Sequence, residues 1–406
     1  MKFARNKLTR TAAVAMTLLA MNAHDAWSAL STKVETFAAI AGTGNQTINT
    51  TGFQPKAVLF WITDRTSAGN SPDARFGRGW TDGTNQAAAA TAWDDGTDVG
   101  AGVLVTDKTI TLINEAGTVL ADASIVTLNS DGFTINWATA GGSRLVTYLA
   151  FGGSDLTNVH VGNKVLTGTN ATETINTVGF QPDGILVMGG RASAFGPIQE
   201  GHAFGVAVST TSRHTNGHRE RASNGLGFSG YHSDEVLAPG DDSNLPEVEW
   251  DLQSFDSGGF TLVRDSTGTS DAVMAYLALK GMYIAEGTLS QPTSTGNQSV
   301  SSLSFQPSVV MFDGGDKVMS GAPLANFESP PEMVHGVATS STARAAFWIG
   351  EGASAEADTD FSTSAVIRSL TAGTPTVQAV ADFVSMNSNG FTINWTTADA
   401  NQRKIG

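Results

Sequence analysis

Apolar residues in this chain follow two short patterns. In one, polar and apolar residues alternate: Phe133-Thr134-Ile135-Asn136-Trp137 sets Phe, Ile and Trp on one face and Thr and Asn on the other. That is the period of a strand with one buried face. In the other, the run is unbroken: Val58-Leu59-Phe60-Trp61-Ile62 has no polar face, as expected of a central strand covered on both sides. Gly, Asn, Asp and Pro bound both kinds of run. No stretch sustains the 3.6-residue period of an amphipathic helix. The pattern predicts an all-β protein.

The two patterns recur in fixed order. The unbroken run follows a Phe-Gln-Pro turn at Phe53-Gln54-Pro55, Phe180-Gln181-Pro182 and Phe305-Gln306-Pro307, with the phenylalanines 127 and then 125 residues apart. The alternating run follows at Gly132-Phe133-Thr134, Gly259-Phe260-Thr261 and Gly390-Phe391-Thr392. Two motifs in one order, three times, predict three tandem antiparallel β-sandwich repeats of about 125 residues.

The predicted units are 30–153, 154–281 and 282–406, with almost no linker between them, so neighbours should touch. In the first, 33–40 opens the unit and 145–151 (Leu-Val-Thr-Tyr-Leu-Ala-Phe) closes it. The strands 76–80 and 86–93 should pair across Asp82-Gly83-Thr84, and Asp107-Lys108 reads as the tight turn of a hairpin between 102–106 and 109–114. Unit lengths differ in the loop after the central strand (64–74, 191–201, 314–334) and in an insertion at 223–248. The third unit is C-terminally incomplete: Arg144 stands four residues before Tyr148, but Arg403 is followed only by Lys404, Ile405 and Gly406. Either the chain is a fragment, or the third unit has an open strand position that a neighbouring subunit fills.

Residues 1–29 read as a secretory signal peptide: Lys2, Arg5, Lys7 and Arg10, then a short apolar core at 11–23, then Ala23, Ala26 and Ala29. An uncleaved anchor is the other reading, although the apolar run is shorter than the roughly 20 residues a spanning helix needs. Removal takes Lys plus Arg from 23 to 19 and Asp plus Glu from 38 to 37, a net charge of about −18. Such a chain repels phosphate backbones, which argues against nucleic-acid partners. With no cysteine, disulfide and thiolate chemistry are excluded. The expected location is secreted or on the cell surface, with no membrane span after cleavage.

The order Phe-x-Pro-x-x-Val, Gly-Phe-Thr-Ile-x-Trp, then Val-x-Tyr-Leu-Ala-x-Gly resembles the H-type lectin domain and the receptor-binding modules of some phage tail fibres. It rests on Phe53, Pro55, Val58, Gly132, Phe133, Ile135, Trp137, Tyr148, Ala150 and Gly152. The resemblance implies a small antiparallel β-sandwich, assembly about a three-fold axis, and sugar binding. These are scaffold residues, and no sugar-contacting residue is carried over. Three covalent copies would then form a pseudo-threefold trimer in one chain, or three beads in a row.

Candidate chemistry is sparse. Trp61, Trp80, Trp93 and Trp348 fall on or beside loops, where an indole face could stack on a sugar ring, and Arg191 opens the second unit's variable loop. Trp137, Trp250 and Trp395 read as core. Asp94, Asp95 and Asp98 in a Gly-containing loop offer hard oxygen ligands suited to Ca²⁺, without EF-hand spacing. His214 and His218, four apart, would share one face of a strand and could bind a divalent metal with Glu220 or His232. Solvated loops are the plainer reading of both groups. There is no Gly-x-Ser-x-Gly elbow, no His-Glu-x-x-His and no phosphate loop.

Three functions fit: a non-enzymatic protein of a bacterial surface that recognises a glycan or surface polymer through its loops; a structural or filament-forming homo-oligomer assembled by strand complementation; or a polysaccharide-degrading enzyme centred on the second unit, where His202, His214, His218 and His232 cluster.

Overall fold

The computed structural model describes residues 17–22, 30–94, 100–219, 228–239, 248–266, 268–314, 332–351, 356–371 and 375–398. Among them there are strands and no helix. Each of the three units is a sandwich of a large inner sheet and a smaller outer one. In the first unit the inner sheet runs Leu30–Ala38, Leu145–Gly153, Pro55–Thr63, Ala74–Thr81, Gln86–Trp93, Gly100–Val105, and the outer sheet Gly44–Ile48, Gly132–Thr139, Val119–Asn129, Ile110–Ile113. All neighbours are antiparallel.

The unbroken apolar runs follow from this layering. On Pro55–Thr63, Val58, Phe60 and Ile62 pack into the first unit's own core, between its two sheets. Leu59 and Trp61, on the other face, join a second core. The second unit divides its central strand likewise, with Ile185 and Val187 on one side and Leu186 and Met188 on the other. In the third, Val310 and Phe312 oppose Val309 and Met311. A period-two strand has only two faces, and here both are buried.

The second core is common to all three units: Leu59, Leu186 and Met311 belong to it, as do Trp80, Phe204 and Phe347. The inner sheets therefore face one another around a pseudo-threefold centre. The structure is the closed arrangement, with a shared apolar core that beads in a row would lack.

The repeated motifs are fastenings between layers. Phe133 and Phe260 are fully buried and meet Tyr148 and Tyr276 edge-on, with ring centroids 5.1 Å apart in each case. The glycine before each motif phenylalanine takes Gly132 and Gly390 to φ of 141° and 154°, and a Cβ there would collide with the carbonyl of Ile48 or Val300. The Phe-Gln-Pro glutamine ties its turn to the outer sheet: Gln54, Gln181 and Gln306 donate Nε2 to the carbonyls of Leu128 (3.2 Å), Phe255 (2.7 Å) and Met386 (3.3 Å).

The loops after the central strands clasp the neighbouring units. Gly69–Pro72 of the first pairs with Ala357–Ser362, the edge strand of the third. Gly196, Pro197 and Ile198 of the second pair with Leu104, Val103 and Gly102, on the edge strand of the first. Between the third and second units, the Glu332 amide donates to Ser229 Oγ, 3.4 Å away. The first two clasps cover backbone groups that an open sheet edge would present to another chain.

Three expectations are corrected. Asp107-Lys108 is no hairpin turn: Gly100–Val105 pairs in the inner sheet and Ile110–Ile113 in the outer one, so the chain crosses between layers there. Part of the 223–248 insertion is regular: Phe228–His232 pairs with Ser212–Arg219 as the last inner strand of the second unit, where the first has Gly100–Val105. The open strand position of the third unit is filled: Thr17–Asn22 lies between Tyr283–Gly287 and Val309–Gly314, antiparallel to both.

Candidate functional site

The sequence-chosen tryptophans lie inside strands. Trp61, Trp80, Trp93 and Trp348 sit on Pro55–Thr63, Ala74–Thr81, Gln86–Trp93 and Arg344–Glu351, and none exceeds 3% exposure. Trp61 stacks on Phe347 at 6.3 Å, Trp93 meets the His218 ring at 5.3 Å, and Trp348 Nε1 donates to Glu332 (3.4 Å). Their faces are spent on packing, because strands covered on both sides leave no wall for a sugar. Arg191 ends the strand Gly184–Arg191, half-buried.

Among the described residues the histidine set does not assemble a metal site. Asp94 is half-buried, and Asp95 and Asp98 lie outside the described residues. His214 and His218 do share a face of Ser212–Arg219, but four residues of strand separate them by about 13 Å, too far for one ion. His214 Nδ1 is held 2.9 Å from Glu286 Oε2, and its ring stacks on Tyr231. His218 packs edge-on to His202, centroids 3.8 Å apart. Among the described residues no group of three His, Asp or Glu side chains could hold a metal ion.

His202 and His218 instead belong to a buried polar cluster where the three inner sheets meet. Equivalent strands bring Arg78, Phe204 and His335 there, each followed by a glycine (Gly79, Gly205, Gly336). A Cβ at any of these glycines would strike a backbone carbonyl, of Thr109, Val236 or Val366. Arg78 Nη2 donates to Asp313 Oδ2 at 2.6 Å, and His335 Nδ1 lies 2.6 Å from the same oxygen. The guanidinium covers the Phe204 ring at 3.7 Å, a cation–π contact. Asn216 Nδ2 donates to the Asp313 carbonyl (3.1 Å) and Oδ1 (3.2 Å).

Burial opposes the charge on Asp313, but Arg78 and His335 outweigh it and hold its pKa below the ordinary value. Burial, with Arg78 and His335 nearby, pushes His218 down to about 3 and His202 well below its usual value. Both imidazoles are neutral at pH 7. The cavity they line is about 10 Å³, the scale of one water. The cluster is a packing centre with no room for an organic ligand.

Space for a ligand lies where the second unit meets the third. A groove of about 570 Å³ is lined by Gln181, Asp183, Phe255, Met282, Tyr283 and Ile284, among others. The Phe-Gln-Pro turn supplies Gln181 and Asp183. The start of Tyr283–Gly287 supplies Tyr283, which is 44% exposed, its ring stacked on Phe305 at 5.8 Å and 22°. Asp183 Oδ2 accepts from the Gly281 amide (2.6 Å), and Lys280 Nζ donates to the Gln181 carbonyl (2.9 Å). These bonds hold the turn against the inter-unit junction. At the first junction Lys56 stands in place of Asp183 and reaches the Leu156 carbonyl (2.7 Å). At the third, the Ser308 carbonyl accepts from Thr32 Oγ1 (3.0 Å).

An apolar floor, one exposed aromatic and a few convergent polar groups in several hundred Å³ suit a small organic ligand or one residue of a polymer. The sequence reading missed Tyr283, Gln181 and Asp183. The available signal was the residue after each Phe-Gln-Pro, which changes from Lys56 to Asp183 to Ser308 while the turn stays constant.

No family model matches the chain, and no curated protein matches it. Among solved structures it is similar to the mouse laminin alpha1 chain, domains LG4-5, at 8% identity and a TM-score of 0.09, over 68% of this chain and 88% of that one. A likeness at that level carries no argument. The lectin resemblance is met at the level of β-sandwich architecture.

Proposed function

We propose that this is an exported, non-enzymatic binding protein that takes one sugar residue of a glycan or surface polymer in the groove between its second and third units. The single observation behind this reading is the groove itself: about 570 Å³, with Tyr283 exposed on one wall. Tyrosine offers a ring face to the C–H groups of a sugar and a hydroxyl to its oxygens. The Gln181 and Asp183 side chains supply amide and carboxylate partners for sugar hydroxyls. The basic and then apolar start of the sequence supports export. Among the described residues, the tryptophans expected to bind sugar are buried and the central cavity is water-sized, which favours the groove.

The test is a glycan array, run with and without Ca²⁺, on the intact chain and on Tyr283→Ala. Specific binding that falls at least tenfold in Tyr283→Ala is the expected result. No hit on the intact chain, or binding that Tyr283→Ala leaves unchanged, overturns the assignment.

A further inference from the structure

In the first two units the closing strand comes from the end of the same unit. Leu145–Gly153 lies between Leu30–Ala38 and Pro55–Thr63, and Ala272–Lys280 between Asn158–Leu166 and Gly184–Arg191. In the third unit the same place is taken by Thr17–Asn22, from the other end of the sequence. The register is the same in all three. Ala150 faces Val58, Ala278 faces Ile185, and Ala20 faces Val310. The residues facing these three positions are equivalent, since each lies two before the residue opposite the inner glycine that recurs in each unit: Phe60 opposite Gly79, Val187 opposite Gly205, Phe312 opposite Gly336.

Sequence follows register. Thr147-Tyr148-Leu149-Ala150-Phe151 and Ala275-Tyr276-Leu277-Ala278-Leu279 superpose on Thr17-Leu18-Leu19-Ala20-Met21. A stretch that reads as the apolar core of an export leader thus carries the Leu-Ala pattern of a closing strand, in the register of one. It pairs on both sides, over five residues with Tyr283–Gly287 and five with Val309–Gly314. Without it, both neighbours would present unpaired N–H and C=O groups across a strand-wide gap, the template for adding a strand.

We propose that the gap between Tyr283–Gly287 and Val309–Gly314 is a binding site for an extended apolar peptide of the pattern x-φ-Leu-Ala-φ, φ being a large apolar residue. Thr17–Asn22 is its built-in occupant, so lifting or removing the N-terminal segment exposes a strand-accepting site. The site borders the sugar groove, since Tyr283 and Ile284 line that groove and pair with Asn22 and Met21, but the cross-link and peptide readouts that test it do not depend on sugar binding.

The chain has no cysteine, so a cross-link reports cleanly. Opposed antiparallel residues stand about 4.5–5.5 Å apart at Cα, within the span of a disulfide. In the full chain, Ala20→Cys with Val310→Cys should form an intramolecular disulfide under mild oxidation. The off-register pair Leu18→Cys with Val310→Cys should not. The absence of a disulfide in the first pair, or disulfide-linked dimers only, overturns the built-in occupant.

Binding is read with a fluorescent Thr-Leu-Leu-Ala-Met-Asn peptide. Leu19→Pro in the full chain removes a backbone donor from the resident strand. The peptide should bind this variant saturably and the unaltered chain at least tenfold more weakly, and the same peptide with proline for its central leucine should bind neither. Equal binding to both chains, or none to a Leu19→Pro chain that keeps its β circular dichroism, overturns the site. If Leu19→Pro does not fold, the cross-link alone decides.

Discussion

Arg78 and Asp313 are 235 residues apart in the chain and 2.6 Å apart in space, in an ion pair with both side chains about 5% exposed. The contact joins the first unit to the third at the centre of the molecule, with Phe204 of the second stacked beneath the guanidinium. One bond therefore reports on closure of all three units.

Arg78→Met should destabilise the chain by about 3–5 kcal/mol, because it strands a buried carboxylate. Replacing both partners, Arg78→Met with Asp313→Leu, should recover most of that loss, since burying neither charge removes the desolvation cost. Urea unfolding of the two variants beside the parent checks this. A double variant no more stable than the single one would contradict it.

Acid should loosen the centre. His218, with a pKa near 3 in the folded chain, takes up a proton near pH 6.5 when unfolded. Its folded pKa is depressed, so the unfolded chain binds more protons between those values. Stability is then full above pH 6.5 and falls as pH drops toward 3. His232, also pushed to about 3 by burial, adds to the same arm. Glu249 and Glu235, raised to about 7 and about 10 mainly by burial, work in the opposite sense from pH 7 to 4.5 and add nothing below. Chemical denaturation should therefore show a loss between pH 4.5 and 3.5, and that loss should be smaller in His218→Gln.

The clasps should matter more than their loop character suggests. Ile198 is 6% exposed and belongs to the shared core. Ile198→Ala should cost about 2–5 kcal/mol. In hydrogen exchange, Gly100–Val105 should lose protection in this variant before the first unit's outer sheet does. Uniform loss across the chain would mean that the clasp is not a separable element.

The Phe-Gln-Pro glutamines should be worth little each. Gln54→Ala, Gln181→Ala and Gln306→Ala each remove one exposed side chain-to-carbonyl bond, about 0.5–1.5 kcal/mol apiece. Their effects should add, because the three sites are far apart. Thermal unfolding of the single and triple variants measures both points.

The Leu-Ala register of the N-terminal segment shows how a local reading can be right about character and silent about place. Residues 11–23 are apolar in either role, and composition does not separate a leader core from a central strand. Only the partners do. The same holds for Trp61 and Trp348. The sequence reading puts them on or beside loops with an indole face free, yet both lie within strands with a sheet over each face. Of the four histidines the sequence groups in the second unit, the structure brings His202 and His218 together, and His214 lies apart against Glu286 and Tyr231. Arg78, Asp313 and His335 from other units make the His202–His218 pair part of a packing centre.

The sequence by itself determined the strands, their period, the three-fold repetition and the glycine and Phe-Gln-Pro positions, because these are set by contacts within about 125 residues that recur three times. It could also tell that the central strands have two buried faces. What covers the second face was decided only by tertiary structure: the three inner sheets share one core, clasped edge to edge, with Thr17–Asn22 completing the third. A period-two pattern records that a face leaves water, and the free energy of burial is nearly indifferent to which apolar surface it meets. The identity of that surface is fixed by shape and register between segments hundreds of residues apart.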